Sequence, residues 1–262
     1  MICLFLIMPE IPDLENFRVN LLKLLKGKKV ERIKGNVKTA AGKKASTTIL
    51  TGKTLQSIER DGKRLHFKFD DTVLAIHLML HGEFYYLQKS EKARFPKVEI
   101  SFTDKTRLVV TDWQKNAHGI IDPPPTEVPD VLSKKMNKPY FRELLNSKKQ
   151  IKDVLRDQSK IRGLGNAYTD EILWEARISP FSVSSAIPPD KVDALYKAIR
   201  KVLKWATNHI SRKDPGRITG EMRDFLKVHH AKKEKTPTGY KILREKKGGS
   251  STYYTKEQKL YR

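Results

Sequence analysis

Apolar residues at Leu14, Phe17, Leu21, Leu24 and Leu25 recur at helical spacing and predict a helix over 9–26. Pro12 fits a first turn, Asp13 and Glu15 suit the positive end of the helix dipole, and Gly27 can close it. The period then shortens. Stretches 55–69, 72–80, 82–87, 98–102 and 108–112 are rich in β-branched and aromatic residues, with turn signals at Asp61-Gly62 and Asp70-Asp71. Such spacing, about ten residues, predicts an antiparallel sandwich or barrel. Pro123-Pro124-Pro125 ends the strand pattern and marks a linker.

Beyond the prolines the helical period dominates. Residues 140–146, 151–157, 166–176, 190–209 and 219–227 are predicted as helices. The fourth carries one apolar face of Val192, Leu195, Ile199, Val202 and Leu203. In the tail, strand-like 240–243 and 251–254 flank Gly248-Gly249, which predicts a hairpin. No internal repeat is present. The reading is therefore α+β: an N-terminal β-sandwich with flanking helices, then a helical domain that ends in a β-hairpin.

Charge narrows the partners. The chain has 262 residues, 53 Lys+Arg against 30 Asp+Glu and a net charge of +23. That balance calls for a polyanion, either nucleic acid or an acidic membrane surface. The region 227–262 alone has eleven Lys+Arg against three Glu. No Lys/Arg-rich amphipathic helix of the interfacial type is evident, which sets the membrane surface below nucleic acid. The opening Met1–Met8 is too short to span a bilayer, which takes about 20 residues. It also lacks the basic region and cleavage site of a secretory signal, so no membrane anchor is expected. The single cysteine, Cys3, excludes a disulfide framework and a cysteine zinc site, and it fits a reducing, cytoplasmic compartment.

Three places can carry chemistry. Gly163-Leu164-Gly165-Asn166 opens a predicted helix, where backbone N–H groups suit a phosphate. A Gly-x-Gly turn is, however, more often only a tight turn. In Met8-Pro9-Glu10, translation from Met8 and loss of that residue would leave Pro9 with a free secondary amine. Such an amine is a nucleophile for carbonyl-like carbons, and Glu10 beside it can act as acid or base. Pro-Glu is equally ordinary helix-start chemistry. Lys63, after Asp61-Gly62 at a strand entry, suits a phosphate or a proton transfer, or simply faces solvent.

Taken together and in order, Pro9-Glu10-x-Pro12, the Gly62-Lys63 entry, Ile76-His77-Leu78-Met79-Leu80-His81-Gly82 and the block Asp157-Gln158-Ser159…Gly163-x-Gly165-Asn166-x-Tyr168-x-Asp170-Glu171 resemble the formamidopyrimidine-DNA glycosylase/endonuclease VIII family of base-excision repair enzymes. The resemblance runs from Met8 to the C-terminus. It implies a catalytic β-sandwich over 9–122, a linker over 123–136, a helix–two-turn–helix domain over 137–226 and a finger hairpin over 227–262, with 1–8 absent from the mature protein. It implies Pro9 as the nucleophile that forms a Schiff base with the sugar, Glu10 as the assisting acid, and Lys63 in phosphate binding and β-elimination. Asn166, with Gly165, falls where the family holds the lesion phosphate, and Lys148 or Lys149 supplies a further phosphate contact.

Lys115 falls where the family has a DNA-contacting arginine. Gln114 and Asn116 replace the family's arginine and phenylalanine that fill the gap left by a flipped base, so Trp113 or Leu80 would compensate. Leu80 occupies the place of an intercalating methionine and is apolar enough to wedge. Thr236, Gly239, Thr255 and Gln258 stand at the family's zinc-cysteine positions, which implies a zincless finger, no metal and no cofactor. Tyr253, Tyr254 and Leu260 are the expected packing residues of that finger. The family's finger arginine falls at Ser250, with Lys246, Lys247 or Arg262 as substitutes. A lesion-recognition loop is expected over 213–225, with Gly216, Arg217, Thr219 and Gly220. The expected partner is double-stranded DNA with damaged bases or abasic sites, bound by a monomer in the cytoplasm, at the nucleoid in a bacterium. A catalytically inactive damaged-DNA binder of the same fold is the alternative.

Overall fold

The computed structural model describes residues 8–247 and 249–262. Cys3, the rest of the opening segment 1–7, and Gly248 lie outside the described residues. Two compact units are present. One takes in residues up to Thr126 together with Ile210–Glu221, the other Glu127–His209 with Met222–Arg262.

The first unit starts with α1 (Ile11–Leu25), whose Phe17, Leu21 and Leu25 are fully buried. Nine strands follow: β1 (Val30–Gly35), β2 (Val37–Thr39), β3 (Leu55–Asp61), β4 (Arg64–Phe69), β5 (Thr72–His77), β6 (Glu83–Gln88), β7 (Pro96–Phe102), β8 (Thr106–Thr111) and β9 (His118–Ile121). They form a four-stranded sheet, β1-β7-β8-β6, and a five-stranded sheet, β2-β9-β5-β4-β3. Strand β4 alternates strictly, with Leu65, Phe67 and Phe69 turned inward. Phe84 of the other sheet meets Phe67 at 6.1 Å and Phe17 of α1 at 6.4 Å between ring centroids, so helix and both sheets share one core.

Three of these strands carry no readable signal. β1 has three charged residues in six and a bulge between Val30 and Arg32 that breaks its alternation. β2 and β9 are too short for a period, and they pair in parallel with each other. The predicted 55–69 is a hairpin, turned at Gly62 with φ +59°.

The second unit has α2 (Lys138–Leu144), α3 (Ile151–Arg156), α4 (Asn166–Glu175) and α5 (Pro189–Lys213), whose final turn belongs to the first unit. β10 (Leu243–Lys247) and β11 (Ser250–Tyr254) form an antiparallel hairpin.

Three expectations are corrected. No helix forms over 219–227. Gly220 takes φ +69°, and the N–H groups of Lys227, Val228 and His229 go to the carboxylate of Glu171 instead of a helical ladder. The first hairpin strand is Leu243–Lys247 rather than 240–243, because the Tyr240 carbonyl is turned back onto the Thr236 N–H. Leu260 is 39% exposed. The Tyr261 N–H is held by Ser182 Oγ and its carbonyl by the Val183 N–H, so alternation along the extended chain buries Tyr261 and turns Leu260 outward. No helix among the described residues is long and apolar enough to cross a membrane.

Candidate active site and nucleic-acid interface

In the first unit the start of α1 meets the β3–β4 turn. Glu10 is buried at the N-cap, its N–H donated to Asp13 Oδ2 at 3.0 Å, and Pro9 is buried beside it. Lys63 comes from the far end of the turn, and its Nζ lies 3.5 Å from Sδ of Met8, the residue before Pro9. Arg60 fixes this approach. Its Nε donates to Glu15 Oε1 on α1 at 2.7 Å, and a terminal nitrogen donates to the Gly62 carbonyl at 2.9 Å. Pro9, Glu10 and Lys63 are therefore brought to one place by α1 and one hairpin.

Leu80 and Lys115 form a second group. Leu80 sits half-buried on the turn after β5, which closes with the Gly82 N–H on the Leu78 carbonyl at 2.8 Å. The Met79 N–H is donated to His77 Nδ1 at 2.9 Å, with Met79 at φ +56°. Burial, with the charges of Arg64, His118 and Lys63 added, pushes the His77 imidazole down to about 4, so it stays neutral as an acceptor. Lys115 is exposed at φ +65° on a loop wrapped round the buried carboxylate of Asp112, which accepts the N–H groups of Gln114, Asn116 and Ala117 at 2.7–2.9 Å. The two turns touch where His81 meets Trp113 at 4.9 Å between ring centroids. Trp113 is 47% exposed.

The part of the expected recognition loop that belongs to this unit, up to Glu221, lies against α1. Asn20 Nδ2 donates to the Arg217 carbonyl at 2.9 Å, and Ile218 packs on the core.

In the second unit α3 and α4 are joined by a tight connection. Gln158 spans it, accepting the Gly163 N–H at 3.0 Å and donating to the Leu164 carbonyl at 2.8 Å. Gly163 takes φ +107°, and Gly165 is the extended N-cap of α4. Asn166 follows, and its Nδ2 donates to the Ser251 carbonyl of the hairpin at 2.9 Å. Lys148 is exposed between α2 and α3, where the Lys149 backbone is fixed by Ser147 and Ser184.

The four zinc-cysteine positions form a hydrogen-bonded corner. Thr255 N–H is donated to Gln258 Oε1 and Gln258 Nε2 to the Ile178 carbonyl, each at 2.8 Å. Thr236 Oγ1 and Thr238 Oγ1 are 2.9 Å apart, and Thr238 donates to Glu257 Oε1 at 2.8 Å. Glu257 also receives Trp174 Nε1 at 3.0 Å and Arg177 at 2.7 Å. Burial pushes the Glu257 carboxyl up, but Thr238, Trp174 and Arg177 together hold it below its ordinary value. Among the described residues, no group of three or more His, Cys, Asp or Glu is placed to hold a metal ion. Tyr253 is buried with Trp174 and Val228, and Tyr254 meets Phe181 edge-on at 4.9 Å. Sequence reasoning passed over Glu257 and the buried Lys152, because a charged residue in a basic tail or on a short helix reads as solvated, and it named Asp170 only as part of a motif, without a role.

A two-sheet catalytic unit followed by a helix–two-turn–helix unit defines a class, and comparison with known proteins agrees. Residues 8–118 match the formamidopyrimidine-DNA glycosylase N-terminal domain, and 128–214 match its H2TH domain. A Lactobacillus gasseri formamidopyrimidine-DNA glycosylase is 33% identical, covering 94% of this chain and 97% of the relative. A Lactococcus lactis Fpg bound to DNA containing an abasic site superposes with a TM-score of 0.81 at 26% identity, covering 94% and 98% of the two chains. A MutM bound to DNA containing carbocyclic 8-oxo-G gives 0.81 at 28% identity, covering 96% and 100%. The chain belongs to the formamidopyrimidine-DNA glycosylase family: it is a DNA-binding base-excision repair DNA glycosylase and AP lyase with a finger of the zincless kind.

Proposed function

We propose that the enzyme removes oxidised or ring-opened bases from double-stranded DNA and cuts the abasic strand through a Schiff base on Pro9. One observation carries the assignment of roles: Lys63 reaches the residue before Pro9, next to the buried Glu10. With Met8 removed, the Pro9 amine adds to C1′ of the sugar as the base departs, and Glu10 carries the proton exchange of ring opening. Lys63 holds the adjacent phosphate and assists the β-elimination that breaks the 3′ carbon–oxygen bond. The family match that begins at residue 8 supports Met8 as the start. Asn166, Gly165, Lys115 and Lys148 hold the backbone of the DNA, and Leu80 enters the stack where the damaged base has left it. In the same proposal the enzyme works as a monomer in the cytoplasm, at the nucleoid in a bacterium.

Borohydride trapping tests this. Protein beginning at Pro9 is expected to form a covalent adduct with abasic-site DNA, and Pro9→Gly or Glu10→Gln to reduce it by about 10²-fold or more. Tight binding of abasic DNA without any adduct would sink the lyase assignment and leave a damage-binding protein.

A further inference from the structure

Four side chains of α3 and α4 grip a three-residue stretch of β11 and its surroundings. Lys152 and Asp170 are only 4% and 1% exposed, and Lys152 Nζ lies 2.6 Å from Asp170 Oδ1. Lys152 also donates to Thr252 Oγ1 at 2.9 Å and to the Ser251 carbonyl at 3.4 Å. The other oxygen of Asp170 accepts the Tyr253 N–H at 2.9 Å and meets His229 Nδ1 at 2.7 Å. Facing a carboxylate, that nitrogen must carry the proton. His229 in turn packs edge-on against Tyr253 at 4.7 Å, and its N–H is held by Glu171. Asn166, one helical turn before Asp170, donates to the same Ser251 carbonyl as Lys152.

This arrangement differs from ordinary packing. A buried ion pair is costly to form, and removing one member leaves the other charge uncompensated. Here Lys152 bonds the Thr252 hydroxyl and the Ser251 carbonyl, and Asp170 takes the Tyr253 N–H together with His229. The hairpin cannot shift without breaking it, and the Ser251 carbonyl that orients the Asn166 amide is fixed by the same cluster.

We propose that Asp170 and Lys152 are positioning residues for DNA binding: through Ser251 they set the Asn166 side chain, so that the hairpin and the phosphate-holding asparagine act as one unit. This rests on the assignment of Asn166 to a DNA phosphate. Neither residue touches the reacting sugar in this scheme. Their effect should appear in affinity and be transmitted through Asn166.

A double-mutant cycle tests it, with the dissociation constant for duplex DNA containing a tetrahydrofuran abasic analogue as the readout. Asp170→Asn is expected to weaken binding by about tenfold in the natural background. On top of Asn166→Ala, the same change is expected to cost less than about twofold, since the relay has lost its end point. A role in stability alone would give the same loss in both backgrounds. Lys152→Arg should retain most of the affinity that Lys152→Met loses. If Asp170→Asn does not fold, as judged by its unfolding curve, Thr252→Val runs the same cycle. Equal losses in both backgrounds, or an unchanged dissociation constant for Asp170→Asn and Lys152→Met, overturn the relay. Normal binding by Asn166→Ala overturns the phosphate assignment itself, and the relay with it.

Discussion

Arg60 Nε on β3 donates to Glu15 Oε1 on α1 at 2.7 Å, and this contact sets where Lys63 arrives. The guanidinium spans from the helix to the Gly62 carbonyl, so helix and turn are tied by one side chain. Arg60 is almost fully buried while Glu15 keeps some solvent, which places the pair between a buried and a surface bridge. Arg60→Met is expected to cost about 1–3 kcal/mol of stability. It should also slow borohydride trapping at a protein concentration where the fold is intact. Urea unfolding and single-turnover trapping read the two effects separately, and an unchanged trapping rate would detach Lys63 from this contact.

Gly82 permits the turn that presents Leu80. A Cβ at this position would lie 2.2 Å from the Leu78 carbonyl oxygen, which is backbone and cannot step aside. Gly82→Ala is expected to open the turn at a cost of about 2–4 kcal/mol. Abasic-site binding should weaken along with it, measured by fluorescence anisotropy. Leu80→Ala should weaken binding with little loss of stability, because Leu80 is only half-buried.

His77 predicts an acid limit. Its folded-state value is pushed down to about 4, first by burial and then by Arg64, His118 and Lys63, against an ordinary 6.5. A depressed histidine binds its proton more readily in the unfolded chain. The stability it contributes is complete above the ordinary value and declines as pH falls from there toward about 4. The full change is roughly 3–4 kcal/mol. Unfolding curves between pH 7 and 4 should show the decline in the natural protein and a flatter profile in His77→Asn. A His77 ring signal that titrates at the ordinary value in NMR would refute it.

Glu257 gives a second, separate acid effect at the finger. Its carboxyl is held low by Thr238, Trp174 and Arg177 against the opposing effect of burial. A lowered carboxylate stabilises above its unfolded-state value, and that contribution is lost as pH falls through the lower folded value. Hairpin amides near Thr255 should therefore exchange faster as pH falls below the ordinary carboxylate range, after correction for intrinsic rates. Glu257→Gln should show the faster exchange already at neutral pH. Chelators should have no effect on either protein.

The periodic elements were legible in the sequence because their side chains obey a local rule. α1 and β4 bury residues at spacings of 3.6 and 2, and α5 presents its apolar face as written. The proposed catalytic start and the α3–α4 connection came from a different signal: Pro9-Glu10, Gly62-Lys63 and Gly163-x-Gly165-Asn166 are contiguous, and resemblance operates on contiguous residues. β1 and β9 were not legible, since charged positions and short length leave pairing partners to decide them.

What the tertiary structure alone decided lies in contacts across long stretches of chain. Lys152, Asp170 and His229 look like solvated charges one at a time, yet the fold gathers them with Thr252 into a buried cluster. The segment after Gly220 looked helical, yet Glu171 takes its backbone donors from a distance of more than fifty residues. A burial pattern is stored in neighbours along the chain, so sequence carries it. The worth of a charge depends on which partners surround it once water is excluded, and only folding brings those partners together.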